Sequence, residues 1–539
     1  MKRVFIFLTI LLASALANAS ILCPSLASKL ASMSSQDELS VIVHLRAQAD
    51  LTQFRPEEKA EIVAELHRVA DETQPSFLSR FAGKVQDVGR FWVYNGFVCT
   101  ATKEVIEKLA KQPEVGLVYE NQKIQLLDSH EDRDPGINTL GWNIAKIRAD
   151  SVWRYRGYTG RGLVIGIILT GVEVTHPALQ SKWRSNEGWY DAFSNSSAPH
   201  DSHGLGTHLM GTAVGGPPSV GDTIGTAPGA TFIAAKAFSA SGQGNWATID
   251  SCFQWYASLA GRGLGASVLC NDWGSYSRDT THWGRIRTLE RLGTLSVFGV
   301  GAAGPGQGTV AVPGSFPCLI GVGSTDSGDY LFSASGRGPA PSGYPWDSSA
   351  AWLDLQWGTR TPLNHIKPDL VAPGVSVRSA WPGGGYLTIT GTAPPVGEVA
   401  GAVAMLLEKN PLLTASQIWT LLASTCDTFS WGNPYPNQNY GWGRLNCLRA
   451  IDATPSGVWQ EPSTIIHPPT ARIRALPNPF VSYTSVTGHS SDCFVLYDVS
   501  GRRVGTYRGD RIGEGLSPGV YFLKLEGGDA KPLRVVKLR

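Results

Sequence analysis

Five short apolar runs constrain this chain more than any other feature. They are "GLVIGIIL" from Gly162, "TFIAAKAF" from Thr231, "ASVLCNDWG" from Ala266, "LSVFGVGAAG" from Leu295 and "CLIGVGSTD" from Cys318. None alternates apolar with polar residues, as a strand wetted on one face would. Strands that read as continuous apolar runs, each ending near glycine or a polar residue and separated by helix-length segments, belong to a parallel sheet covered on both faces. The region from about 137 to 453 is therefore expected to be α/β with a mainly parallel sheet. "GEVAGAVAMLLEKNP", apolar almost throughout, reads as a buried helix that stops before Pro411.

A smaller unit precedes it, from 38 to 127. "LSVIVHL" reads as a strand and "EEKAEIVAELHRVADETQPSFLSRFAG" as a helix. "FWVYNGFVCTA" reads as strand, "KEVIEKLAKQ" as helix and "VGLVYENQKIQLL" as a last strand. This interleaving predicts a ferredoxin-like α+β unit. "DSHEDRDPG" after it reads as a linker, and so does the Pro-, Ser- and Thr-rich stretch 454–471. The last unit, 472–539, reads as all-β, with turns at Ser500-Gly501 and Gly527-Gly528.

The first 19 residues have the form of a secretory signal peptide: Lys2 and Arg3, an apolar run, then Ala17-Asn18-Ala19. Cys23 lacks the preceding small residue that a lipid-attachment site requires. No later stretch approaches the roughly 18 apolar residues of a membrane span. A net charge of +2 with 17% charged residues offers no basic stripe for nucleic acid. Eight cysteines remain after the signal, and export permits disulfides. Cys426 and Cys447 flank one loop and are placed to pair; burial as free thiols is the other reading. No Cys-x-x-Cys is present, so zinc and redox motifs are not expected.

Four stretches resemble the subtilisin-like serine peptidases, the subtilases. They are "GYTGRGLVIGIILTGVEVTHPAL", "DSHGLGTHLMGT", "IKPDLVAPGVSVRSAWPGGGYLTITGTAPPVGEVAGAVAMLLEKNP" and "NYGWGRLNCLRAI"; "FSASGRGP" also fits. The resemblance implies the subtilisin-like three-layer α/β fold and acyl-transfer chemistry by a Ser nucleophile, a His base and an Asp that orients the His. The family's acid stands before a Thr-Gly pair at a strand end, which here is Leu169. Its base stands before Gly206-Thr207-His208, which makes that position Leu205. Its nucleophile follows Gly391-Thr392, which makes that position Ala393. Its oxyanion Asn follows an Ala-Ala-Gly run, and here Pro305 follows Ala302-Ala303-Gly304.

None of these four residues can do the family's chemistry. In subtilisin, loss of the nucleophile or the base costs about 10⁶-fold in turnover, and loss of an oxyanion donor about 10²–10³-fold. His203 reads as a loop residue near the cleft and His208 as a packing or hydrogen-bonding residue. Glu173 and Asp201 read as solvated loop acids, and Thr392 as a nucleophile only if its backbone were displaced. A base without a nucleophile achieves no acyl transfer. The expected function is a secreted, inactive homologue that binds or scaffolds at the cell surface. The alternatives are an active endopeptidase using other residues, and an adhesion protein using Trp246, Trp255, Trp273 and Trp283.

The unit 38–127 resembles the inhibitory propeptide of subtilases, which implies a tail lying in the cleft. Without a nucleophile it is expected to stay attached, with no processed start near Asp134–Asn138. The unit 472–539, through "LPNPF", "LYDVSGRRV", "LSPGVYFLKL" and "VVKLR", resembles the C-terminal sorting domain of type IX secretion cargo, an Ig-like β-sandwich; a generic adhesion module is the other reading. It implies the type IX machinery as partner and the surface or surroundings of a Gram-negative-type bacterium. Expected partners are a peptide or protein in the cleft, among them the chain's own propeptide, with no nucleic acid and no membrane span. No cofactor is expected, and no calcium loop can be assigned.

Overall fold

The computed structural model describes residues 21–132, 140–216, 223–348, 351–352, 365–456, 475–476, 480–486, 493–525 and 533–538. The signal-peptide stretch, residues 133–139, the linker from residue 457 on and Gly527-Gly528 lie outside them.

The first part contains α1 (Pro24–Ser32), β1 (Glu38–Leu45), α2 (Lys59–Ser79), β2 (Gln86–Phe91), β3 (Gly96–Thr102), α3 (Lys103–Ala110) and β4 (Val115–Glu120). Its strands form an antiparallel sheet in the order β2-β3-β1-β4. "FWVYNGFVCTA", expected as one strand, is the end of β2, a turn and most of β3. "VGLVYENQKIQLL" also splits, into β4 and β5 (Lys123–Leu126), and the two halves join different sheets. The expected linker after it carries β6 (Ser129–Asp132). Tail strands of this kind have no local partner, so their state is set by distant elements rather than by their own pattern.

Next come α4 (Trp142–Lys146), α5 (Ala149–Arg156), β7 (Val164–Leu169), β8 (Trp189–Asp191), α6 (Leu205–Val214), β9 (Thr231–Lys236), β10 (Gln243–Asn245), α7 (Trp246–Gly261), β11 (Val268–Asn271), β12 (Trp273–Gly274), α8 (Trp283–Arg291), β13 (Leu295–Gly299) and β14 (Ile320–Thr325). They are followed by β15 (Leu370–Pro373), β16 (Val377–Trp381), β17 (Gly385–Gly391), α9 (Ala393–Lys409), α10 (Ala415–Ser424) and α11 (Cys447–Ala453). The five apolar runs supply β7, β9, β11, β13 and β14. With β15 and β8 they form a seven-stranded sheet, β15-β14-β13-β11-β7-β9-β8, in which every pairing is parallel. The expected α/β class is thus observed. The α9 helix is buried from Ala393 through Leu406, which explains why its sequence lacks an amphipathic pattern.

One buried cluster runs from Ile42, Ile62, Tyr94 and Tyr119 of the first part into the core around the parallel sheet. All eight cysteines are free thiols, Cys426 and Cys447 included, so the pairing alternative is set aside. The chain divides into two compact units, 1–457 and 458–539. The second holds a pair, β18 (Ala475–Leu476) and β19 (Ser485–Val486), and an antiparallel sheet β21-β20-β22-β23 from β20 (Cys493–Asp498), β21 (Arg503–Arg508), β22 (Gly519–Leu525) and β23 (Leu533–Lys537). Among the described residues, no helix is long and apolar enough to cross a membrane.

Candidate functional site

In open parallel sheets, ligands sit at the carboxyl ends of the strands. Leu169 is the last residue of β7, Leu205 the first of α6 and Ala393 the first of α9. All three are buried, at 1% exposure or less, and belong to the same apolar cluster. The Gly206 N–H donates to the Thr170 hydroxyl at 2.9 Å and ties the start of α6 to the end of β7. A side chain at position 206 would begin 2.0 Å from the Gly171 carbonyl oxygen, so only glycine permits this approach. Lys236, opposite Leu169 on β9, is buried and donates to the carbonyls of Thr170 and Phe238. Pro305 lies on an exposed loop after β13, and as a proline it brings no N–H.

The tail of the first part passes through this crevice. Strand β5 lies antiparallel between β10 and β12, with Gln125 opposite Gln243 and Leu126 opposite Trp273. The Leu126 and Leu127 N–H groups donate to the carbonyls of Gly242 and Asp272, each at 3.2 Å. Ile124 and Leu127 turn inward and are buried, whereas Lys123, Gln125 and Asp128 are exposed. The chain then continues as β6 along β17, Ser129 opposite Gly391 and Asp132 opposite Thr388. The Asp132 carboxylate accepts from the hydroxyls of Ser376 (3.0 Å) and Thr390 (2.6 Å). The Leu127–Asp128 peptide therefore lies between two strand pairings, at the end of β17 that leads into Thr392 and Ala393.

Beside it the structure assembles a pair absent from the sequence reading. The Thr392 hydroxyl donates to Asp272 Oδ1 at 2.9 Å. Asp272 is fully buried, and its Oδ2 has no hydrogen-bond partner among the described residues. Burial pushes its carboxyl up to about 7, against the opposing pull of the Thr392 bond. An acid at the end of the third apolar run was a signal that could have been read from the position alone.

The other candidates are committed elsewhere. The Nε2 of His208 contacts the carbonyls of Val377 (3.1 Å) and Leu387 (3.2 Å), and burial lowers its imidazole to about 4. His203 is half-buried beside Gly242, its pKa lowered by burial. Asp201, expected as a solvated acid, is buried at 8% exposure because it accepts from the N–H groups of Gly204 and Thr207 and from the Thr207 hydroxyl at the start of α6. Glu173 accepts from the Gly383 N–H at 2.7 Å. Trp246, Trp273 and Trp283 are buried and Trp255 is partly so, stacked on Tyr190. Among the described residues, no group of three or more His, Cys, Asp or Glu side chains is placed to hold a metal ion.

Comparison with known proteins places this geometry in a family. Residues 160–443 match the subtilase family, peptidase S8, and residues 40–127 match peptidase inhibitor I9. Bacillopeptidase F of Bacillus subtilis (strain 168) is 31% identical over 444 residues, covering 75% of this chain and 29% of that protein. Subtilisin E of the same organism is 27% identical over 379 residues, covering 69% of this chain and 84% of subtilisin E. An alkaline protease of Shouchella clausii is 26% identical over 367 residues, covering 62% of this chain and 86% of the protease. The I9 match ends at Leu127, the residue after which the tail crosses from β12 to β17.

Proposed function

The chain belongs to the subtilase family and carries an I9 propeptide unit, and from that premise we propose that it is a catalytically inactive member acting by binding or scaffolding outside the cell. The observation that carries this reading is the placement of Leu169 at the end of β7, Leu205 at the start of α6 and Ala393 at the start of α9, all three buried and none bearing a group for acyl transfer. We read these as the acid, base and nucleophile positions, and Pro305 as the oxyanion position. An unpaired carboxylate left in so dry a site would be costly, and two leucines remove that cost. The propeptide unit then stays covalently attached; the bond we assign as the one an active relative would cut is Leu127–Asp128, where the tail passes Gly391, in place of the expected start near Asp134–Asn138, which lies outside the described residues. Within the proposal, the unit 472–539 is a type IX sorting domain that directs the chain to the surface of a Gram-negative-type cell.

One observation favours an active endopeptidase instead, namely the Thr392 hydroxyl held on Asp272. Against it, that hydroxyl is bonded to a buried acid and, among the described residues, to no imidazole. The adhesion reading loses its prompt, since three of its four tryptophans are buried.

The test is chemical. The purified chain is expected to resist a fluorophosphonate probe, to leave casein intact and to show an unbroken Leu127–Asp128 bond by mass spectrometry. Replacing Leu169→Asp, Leu205→His, Ala393→Ser and Pro305→Asn together is expected to restore labelling and produce a cut at that bond. Labelling of the natural chain, abolished by Thr392→Val, would overturn the proposal in favour of the active reading.

A further inference from the structure

The outer edge of the parallel sheet carries a cavity that belongs neither to the cleft nor to the core. Strand β8 is the last of the sheet and, among the described residues, pairs with β9 alone. On it Trp189 stands opposite Ala234, and Trp183, upstream of β8, bridges Phe232. Phe232 and Ala234 are two residues apart on β9, so both indoles stand on one face of the sheet, roughly 7 Å apart along it. Between them and the loop that follows β8 lies a cavity of about 430 Å³.

Its aromatic walls are fixed from behind. The indole N–H of Trp189 donates to the Ser196 carbonyl at 2.8 Å, and that of Trp183 to the Gly188 carbonyl at 3.4 Å. The polar edge of each ring is thus used within the protein, while both rings stay half-buried. Asp191 holds the loop by accepting from the N–H groups of Phe193 (2.9 Å) and Ser194 (2.7 Å). Tyr190, also in the lining, is backed by Trp255 of α7, with 5.8 Å between ring centres.

The rest of the lining is polar. Ser185, Asn195 and Ser197 are exposed, and among the described residues their side chains make no hydrogen bond to the protein. Of the acids in the lining, Asp191 is committed to its loop and Glu187 is paired with Arg262. The cavity therefore offers no net charge to an ion. Its volume suits a small molecule or one unit of a chain. The indoles favour a ring with an apolar face, a carboxamide and two hydroxyls supply both donors and acceptors, and the balanced charge disfavours an anion or a quaternary ammonium. A pyranose has this make-up, with C–H groups on its faces and hydroxyls round its rim. We propose that the cavity is a carbohydrate site that takes one neutral pyranose unit of a glycan, with Trp183 and Trp189 against the ring and Ser185, Asn195 and Ser197 on its hydroxyls. The site does not use Leu169, Leu205 or Ala393, so its failure is separate from failure of the proposed function.

The experiment runs the full chain by affinity electrophoresis through gels containing dextran, mannan, galactan or a mixed-linkage β-glucan, and through a gel containing heparin. Retardation by at least one neutral polymer, relieved by the free monosaccharide of that polymer, is expected. Asn195→Gly suits the left-handed backbone at this position (φ 55°) and removes only the carboxamide. It is expected to weaken binding about tenfold, the worth of one hydrogen bond. Trp183→Ala is expected to abolish retardation, with an unchanged circular dichroism spectrum showing that the fold is kept. Absence of retardation in every neutral gel overturns the proposal. So does retardation that Asn195→Gly and Trp183→Ala both leave unchanged, or that heparin alone produces.

Discussion

Asp272 is the residue whose chemistry is most changed by where the fold puts it. Its carboxyl is raised to about 7 by burial, so the folded chain holds its proton more tightly than the unfolded chain does. Stability from this group is thus full below about pH 4 and is lost as pH rises through 7. The loss is of the order of 4 kcal/mol at most, for a carboxyl raised from its ordinary value to about 7. Asp272→Asn keeps an acceptor for the Thr392 hydroxyl and has no proton to lose. Urea midpoints at pH 5 and pH 8 are expected to show the variant gaining on the natural chain as pH rises; a constant difference would mean that Asp272 is ionised in both states. The acid's position at the end of an apolar run was legible in the sequence, but its pairing with Thr392 was not, because the two are 120 residues apart. Leu169, Leu205 and Ala393 could be singled out because short glycine-bearing motifs frame each of them. Gly206 shows the physical root of one such motif, since a methyl group there would strike the Gly171 carbonyl.

Elements repeat this contrast. The parallel strands announced themselves because burial on both faces leaves each a continuous apolar run. The tail strands β5 and β6 did not, because their partners, β10, β12 and β17, lie far along the chain. Their alternation is visible only in hindsight, with Ile124 and Leu127 inward and Lys123, Gln125 and Asp128 outward. Position 391 tests how firmly β6 is held. A methyl group on Gly391 would lie 3.0 Å from Ser129 Cβ and 3.3 Å from the Asp128 carbonyl oxygen. The neighbour must then shift by tenths of an ångström, and a strand carried on one edge yields more readily than buried α9. Gly391→Ala is expected to speed amide exchange over residues 128–132 while α9 stays protected. Unchanged exchange in the tail would show that β6 is anchored chiefly through Asp132.

At the scale of the whole molecule, the sequence boundaries near 127 and 137 mark a change of pattern without a change of core. Ile42, Ile62, Tyr94 and Tyr119 belong to the same buried cluster as Leu169 and Ala393, because the face of the first sheet packs on α7 and α8. A domain limit read from sequence records where periodicity changes, and it carries no information about which faces later meet. The boundary near 457 is of the other kind. Phe480, Val486, Phe494, Leu496, Ile512, Leu523 and Val535 form a separate core, and the chain divides between residues 457 and 458. Two cores without a shared cluster unfold as two events. A chain ending at Gly457 is expected to keep the main calorimetric transition within about 2 °C, the shift that ~1 kcal/mol produces in a domain of some 200 residues. It should lose only the smaller transition that belongs to residues 458–539. A larger fall in the main transition would mean that the second unit stabilises the first, and that its removal would carry a cost in stability.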